Sequence, residues 1–259
     1  MRFGVGVEYD GRRYCGWQRQ VGSATIQQSI EQALSQVADA PIAIVTAGRT
    51  DAGVHASGQV FHFDTDVKRD AQAWLRGGNT FLPSDISLLW VRPVATEFHA
   101  RFSALSRSYR YIVFNRPTRS ALYTGRVSWE YRPLVAERMQ RAARSLLGEH
   151  DFGAFRAAGC QAHSPIRTVH ELTVGHSGNW YWFDVCANAF LQHMVRNIVG
   201  VLLAIGAGEK PNPWAHEVLK SRDRRCGGVT APPDGLYLTT INYPEEFQLP
   251  CAAPACRFW

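Results

Sequence analysis

Three short segments of this chain combine residue types at spacings that can do chemistry. The first is Gly48-Arg49-Thr50-Asp51-Ala52-Gly53-Val54-His55, directly after the apolar run Ile42 to Thr46. An aspartate with a glycine on either side, just past a strand, sits on a tight turn. Such a turn projects the carboxylate from a rigid element into whatever space lies above it. Ionised, it can act as a nucleophile or assist the departure of a leaving group. The competing reading is an Asx-turn or helix-cap aspartate, a common use of Asp in glycine-rich turns.

The second segment runs from Phe98-His99-Ala100-Arg101-Phe102 to Tyr109-Arg110-Tyr111 and interleaves aromatic rings with Arg101, Arg107 and Arg110. Rings stack on bases and guanidinium groups pair with phosphates, so this is equipment for gripping unstacked nucleotides. A half-buried strand with a solvated arginine face reads the same way. In the third segment, Ala187 to Gly200, residues Leu191, Met194, Val195, Ile198 and Val199 form the core stripe of a helix. Arg196 falls one residue past that stripe, where a guanidinium must either snorkel to water or pair with a buried carboxylate.

Other motifs can be set aside. Gly206-Ala207-Gly208-Glu209-Lys210 follows a helix and has no Ser or Thr after its lysine, so it is a helix end and not a phosphate-binding loop. Glu149, His150 and Asp151 point in different directions on any regular element, which argues against a metal site. The six cysteines form no Cys-x-x-Cys pair, as expected of reduced thiols with a structural use. Nothing calls for a cofactor.

The elements that must position these groups are legible from periodicity. Phe3, Val5, Val7 and Tyr9 alternate as a first strand. Thr25, with Gln28 in capping-box position, opens a helix that Pro41 stops. Strands over 42–46 and 59–63, a short helix over 70–75 and a strand over 86–91 follow. The order strand, helix, strand, strand, helix, strand is that of a split βαβ, ferredoxin-like unit. The second half offers a strand over 107–114, a helix over 134–147, strands over 170–174 and 180–186, an apolar helix over 191–205, a short helix over 213–219 and a last strand over 236–243. The expected fold is α+β, two ferredoxin-like α/β-sandwich halves with mainly antiparallel sheets. The divisions are 1–103, 104–245 and a Pro/Ala/Cys-containing tail, 246–259.

Bulk properties agree with a globular chain: 259 residues, 46% hydrophobic and 19% charged. No apolar run is long enough to span a bilayer, and the first residues read as a strand and not a signal peptide, so the expected location is the cytoplasm. A net charge of +6, from 28 Lys plus Arg against 22 Asp plus Glu, makes a polyanionic partner plausible without requiring one.

Taken together, the motifs resemble one family. Gly48 to His55 is similar to the signature segment of the TruA family of tRNA pseudouridine synthases. Phe98 to Ala104, Tyr109-Arg110-Tyr111, Asn188-Ala189-Phe190 with His193 to Arg196, and Ala231-Pro232-Pro233 with Gly235 to Leu238 match its later segments in order and approximate spacing. The resemblance runs from the first strand to about Tyr243. It implies a pseudouridine synthase catalytic domain around a basic cleft, a homodimer, and no cofactor or metal. The implied substrate is uridine at positions 38, 39 and 40 of the tRNA anticodon stem-loop. By the same resemblance Asp51 is the essential acid, Arg196 its ion-pair partner and Tyr109 the residue packed on the target base.

The physics fits those roles. Enclosure with a base pushes a carboxylate toward its neutral form, and a close guanidinium reverses that. Leu236 is expected to wall the pocket, with Arg49 as a further substrate contact. Arg49, Phe98, His99, Arg101, Phe102 and Arg156 are expected to contact RNA, since a paired uridine must leave the stack to be reached. Asp51 has two open routes, addition at C6 of the base or action at C1′. A nucleosidase or RNA glycosylase using Asp51, and a non-catalytic tRNA-binding protein, are the rival readings.

Overall fold

The computed structural model describes residues 1–250 and 256–258. Of the final segment expected as a tail, residues 251–255 and 259, Cys251 among them, lie outside the described residues. The chain forms two compact units: Met1–Ser106 with Tyr237–Cys256, and Arg107–Leu236 with Arg257–Trp259.

The first unit follows the expected order: β1 (Arg2–Tyr9), α1 (Ile26–Ala38), β2 (Ile44–Thr46), β3 (His55–Asp64), α2 (Ala71–Phe81) and β4 (Ile86–Val94). β1 lies between β3 and β4, antiparallel to both, and β2 pairs antiparallel with β3. This 4-1-3-2 order is the sheet of a ferredoxin-like unit. Its core holds Phe3 stacked on Phe63 at 5.4 Å, with Trp74 of α2 5.0 Å from Phe63. Ile26, Ile30 and Leu34 of α1 are buried, as their spacing predicts. The capping box does not form. Thr25 is the N-cap residue, but its buried hydroxyl has no hydrogen-bond partner. The amides of Ile26 and Gln27 donate instead to the carbonyls of Gly16 and Trp17, so the preceding loop does the capping.

A further strand, β10 (Leu236–Asn242), joins this unit. Tyr237 and Leu238 pair in parallel with His55 and Ala56, and the Tyr237 ring stacks on His55 at 4.6 Å. The compact units are thus not the two chain halves that a single cut near residue 103 describes. Gly58 permits this approach, because a Cβ there would meet the Thr239 carbonyl at 2.0 Å. Beyond the strand, Tyr243 donates to the Ala100 carbonyl at 2.7 Å and Phe247 packs on Phe98.

The second unit contains β5 (Ser106–Asn115), β6 (Ser128–Glu130), α3 (Ala136–Ala143), β7 (Gly148–Asp151), β8 (Ile166–Ser177), β9 (Trp180–Ala187), α4 (Met194–Gly206) and α5 (Trp214–Ser221). β5, β9, β8 and β7 form an antiparallel series, and β6 joins β5 in parallel. α3 packs on α4 and β8. α4 begins at Met194, three residues later than the apolar stripe suggests. Leu191 is buried from the preceding turn, so it obeys the helical spacing without being helical. His193, at φ +62°, makes the left-handed step into the helix.

Candidate active site

In the first unit, the loop from Ala47 to Val54 is tied down along its length. Ala47 donates to the Val60 carbonyl at 2.9 Å. The Gly48 carbonyl accepts from Gln59 Nε2 at 2.7 Å and from Thr46 Oγ1 at 3.2 Å. The Thr50 carbonyl accepts from the Trp17 amide at 3.0 Å, and the Gly53 amide donates to the Tyr14 carbonyl at 3.3 Å. Asp51 is half-buried between exposed Ala52 and buried Thr50. Its carbonyl accepts from the Val54 amide at 3.2 Å, closing a four-residue turn. Gly53, in third position at φ +78°, supplies the left-handed conformation that a type II turn requires. The chain from Gly11 to Trp17 lies directly against this loop. A Cβ on Gly11 would meet the Val54 carbonyl at 2.0 Å, and one on Gly16 the Thr50 carbonyl at 2.7 Å.

His55, at the start of β3, is buried; its Nδ1 accepts from the Gly11 amide at 3.2 Å and lies 3.3 Å from Asp10 Oδ1. Arg49 is exposed at the rim of the loop.

In the second unit, Tyr109 lies on β5 opposite Val185 and is nearly buried, its ring edge-on to Phe190 at 5.0 Å. Arg196 is half-buried in the first turn of α4. Its Nε donates to the Ala231 carbonyl at 2.8 Å, and the Ala231 amide returns a bond to the Arg196 carbonyl at 3.1 Å. The backbone of Val229 crosses α4 at Gly200, where a Cβ would meet its carbonyl at 1.8 Å. Neighbouring Asn197, fully buried, accepts from Thr230 Oγ1 at 2.7 Å and Arg224 Nη2 at 3.0 Å. Arg196 is thus tied to the backbone of the 229–231 strap. Leu236, at the end of the same stretch, is buried.

The expected RNA contacts divide. Phe98 is fully buried among Tyr243, Phe247 and His62, so it belongs to the core and not to an RNA surface. Its apolar neighbours come from the far end of the chain, which explains why local sequence did not reveal it. His99, Arg101 and Phe102 form a surface knob. The amides of Arg101 and Phe102 donate to His99 Nδ1, Phe102 stacks on His99 at 4.3 Å while 76% exposed, and the Arg101 guanidinium lies 5.6 Å from the Phe102 ring. Arg156 is half-buried and donates to the Cys160 carbonyl. Arg110 is committed to Asp184, directly opposite on β9, through two bonds of 2.7 Å. Among the described residues no group of three or more His, Cys, Asp or Glu is placed to hold a metal ion, and no helix is long and apolar enough to cross a membrane.

A family model described as tRNA pseudouridine synthase matches residues 6–103 and 142–244. The chain belongs to the tRNA pseudouridine synthase family. Among curated relatives, tRNA pseudouridine synthase A of Nitrosococcus oceani is 53% identical over 259 residues, all of both chains. The protein of that name from Methylococcus capsulatus is 55% identical over 249 residues, 96% of this chain and 92% of the other. That from Pseudomonas aeruginosa is 54% identical over 250 residues, 96% and 88%. In this synthase-family chain, Asp51, Arg49 and the 98–102 knob fall in the first matched stretch, and Arg156, Arg196 and Leu236 in the second. Tyr109 falls between the two, within the span covered by the Nitrosococcus relative.

The supporting roles of Tyr9, Gln59, Trp17 and Asn197, which hold the two candidate segments, were not read from the sequence. The one local signal was Gln59, an amide directly before the apolar run Val60-Phe61 in a buried strand.

Proposed function

We propose that this chain isomerises uridine to pseudouridine at positions 38, 39 and 40 of the tRNA anticodon stem-loop, with Asp51 as its catalytic carboxylate. The supporting observation is full-length identity above one half to a tRNA pseudouridine synthase A, 53% over 259 residues. The signature loop supports it too, since the backbone is anchored on both sides of Asp51 while the residue itself is half-buried.

The reaction breaks the N1–C1′ bond, turns the base and joins C5 to C1′; the C5 proton leaves and N1 gains one. No redox change or external group is needed, so a carboxylate suffices, by addition at C6 or by assisting departure at C1′. In this reading Arg196 keeps the carboxylate ionised, and Tyr109 packs on the base with its hydroxyl near the path of the C5 proton. Leu236 walls the pocket and Arg49 touches the substrate. His99, Arg101, Phe102 and Arg156 take the RNA. We also propose that the protein acts in the cytoplasm as a homodimer; light scattering of the purified protein reads the latter directly.

The test uses tRNA carrying tritium at C5 of uridine. The protein is expected to release tritium to water without free uracil, and Asp51→Asn to release none while still binding tRNA. Wild-type turnover by Asp51→Asn would refute the assignment. Release of free uracil would indicate a glycosylase, and unmodified positions 38–40 after complete tritium release would refute the site of action.

A further inference from the structure

We infer that the buried hydroxyl pair of Tyr9 and Thr50, braced by Gln59, is a positioning device for the Asp51 carboxylate; this rests on the reading of Asp51 as the catalytic group. All three side chains are buried, at 4%, 7% and 0% exposure. The Tyr9 ring lies 5.8 Å from the buried Trp17 ring, which lies 6.3 Å from Phe61. Burying three polar groups in such surroundings is costly unless each finds a partner. Here they satisfy one another and the loop. The Tyr9 hydroxyl bonds Thr50 Oγ1 at 2.8 Å. Gln59 Nε2 donates to the Gly48 carbonyl at 2.7 Å, and its Oε1 accepts from the Val60 amide at 3.2 Å.

Two strands of the sheet thus grip the loop at Gly48 and at Thr50, the residue before Asp51. The Trp17 amide on the Thr50 carbonyl makes a third tie. An apolar core of the same shape would fill this volume with nearly equal stability, because replacing both partners of a buried bond is close to neutral. What dispersion cannot supply is direction, whereas hydrogen bonds from rigid strands fix the orientation of the Thr50–Asp51 backbone. Burial pushes the Tyr9 hydroxyl up to about 12, so the tie holds its proton, and its strength, throughout the neutral range. A displacement of about 1 Å in a catalytic group can cost roughly a hundredfold in rate, which is the scale on which such a tie matters.

The experiment measures tritium release from tRNA at saturating concentration by Thr50→Val, Thr50→Ser and Tyr9→Phe, each below its melting temperature. Thr50→Val and Tyr9→Phe are expected to lower kcat by roughly tenfold or more with KM for tRNA within about twofold. Thr50→Ser, which keeps the hydroxyl, should restore most of that loss. The double variant Tyr9→Phe/Thr50→Val should be no slower than the slower single variant, since both remove one bond. Lower melting with wild-type kcat, or a rise in KM at unchanged kcat, would assign the pair to stability or binding and overturn the inference. Should Thr50→Val fail to fold, Tyr9→Phe tests the same bond from its other end. Asp51→Asn run in parallel keeps the two ideas apart. If it is active, the reading of Asp51 fails; if it is inactive while Thr50→Val and Tyr9→Phe keep wild-type kcat, only the positioning role fails.

Discussion

Phe98 lies fully buried against Tyr243 and Phe247, whereas Phe102 stands 76% exposed with one ring face on His99. Phe98→Ala should therefore destabilise the protein by about 3–5 kcal/mol in denaturant unfolding. Phe102→Ala should leave stability within about 0.5 kcal/mol and weaken tRNA binding by about tenfold, the loss of one stacking surface; unchanged affinity would remove Phe102 from the RNA surface. His62 shows a second residue-scale effect. Burial, with Arg2 and His99 adding to it, holds its ring down to about 4, and its Nδ1 accepts from the Ala100 amide at 3.1 Å. An unfolded histidine titrates near about 6.5, so below that value the unfolded chain binds a proton that the folded chain refuses. The stability contributed by neutral His62 is present above about pH 6.5 and is lost as the pH falls toward about 4. Melting temperatures across this window should fall less steeply for His62→Asn, which offers an acceptor that does not titrate.

At the scale of elements, β5 and β9 are joined through the Arg110–Asp184 pair as well as their ladder, with Arg110 9% exposed and Asp184 29%. Removing Asp184 takes two 2.7 Å bonds from a nearly buried cation. Asp184→Ala should cost about 2–3 kcal/mol, while Arg110→Met/Asp184→Leu should recover much of that. A double variant as unstable as Asp184→Ala would show that the pair stabilises beyond mutual neutralisation. Elements were the most legible level in the sequence. Alternation along β1 and the three-to-four-residue spacing of Ile26, Ile30 and Leu34 are properties of single segments, and burial bears them out. The starts of helices were less legible. Leu191 satisfies the helical stripe from a turn, and Thr25 occupies the N-cap position while the Gly16 and Trp17 carbonyls serve the first amides.

At the scale of the whole molecule, 28 basic residues against 22 acidic ones favour a polyanion through counterion release. Affinity for tRNA should fall by at least roughly tenfold between about 50 and 200 mM salt; a flat response would contradict a binding surface built on guanidinium groups. The chain also returns late to its beginning. Tyr237 and Leu238 complete the sheet beside His55 and Ala56, immediately after the Asp51 turn. Strands far apart in the chain thus meet at the residues that follow the loop.

What the sequence displayed by itself was a chemistry and its candidate carriers. The Asp51 signature, the Arg196 helix and the ordered motifs around them depend on residue type and spacing, which a linear chain displays in full. The tertiary structure decided what holds those carriers. Tyr9 reads as one more apolar residue of a strand until its hydroxyl is seen 2.8 Å from Thr50, and Phe98 reads as an RNA contact until Tyr243 and Phe247 cover it. Burial and hydrogen bonding between residues far apart in the chain are set by the fold, and no local pattern encodes them. So Asp51 stands out as a candidate from its neighbours in sequence, and its support is visible only from its neighbours in space.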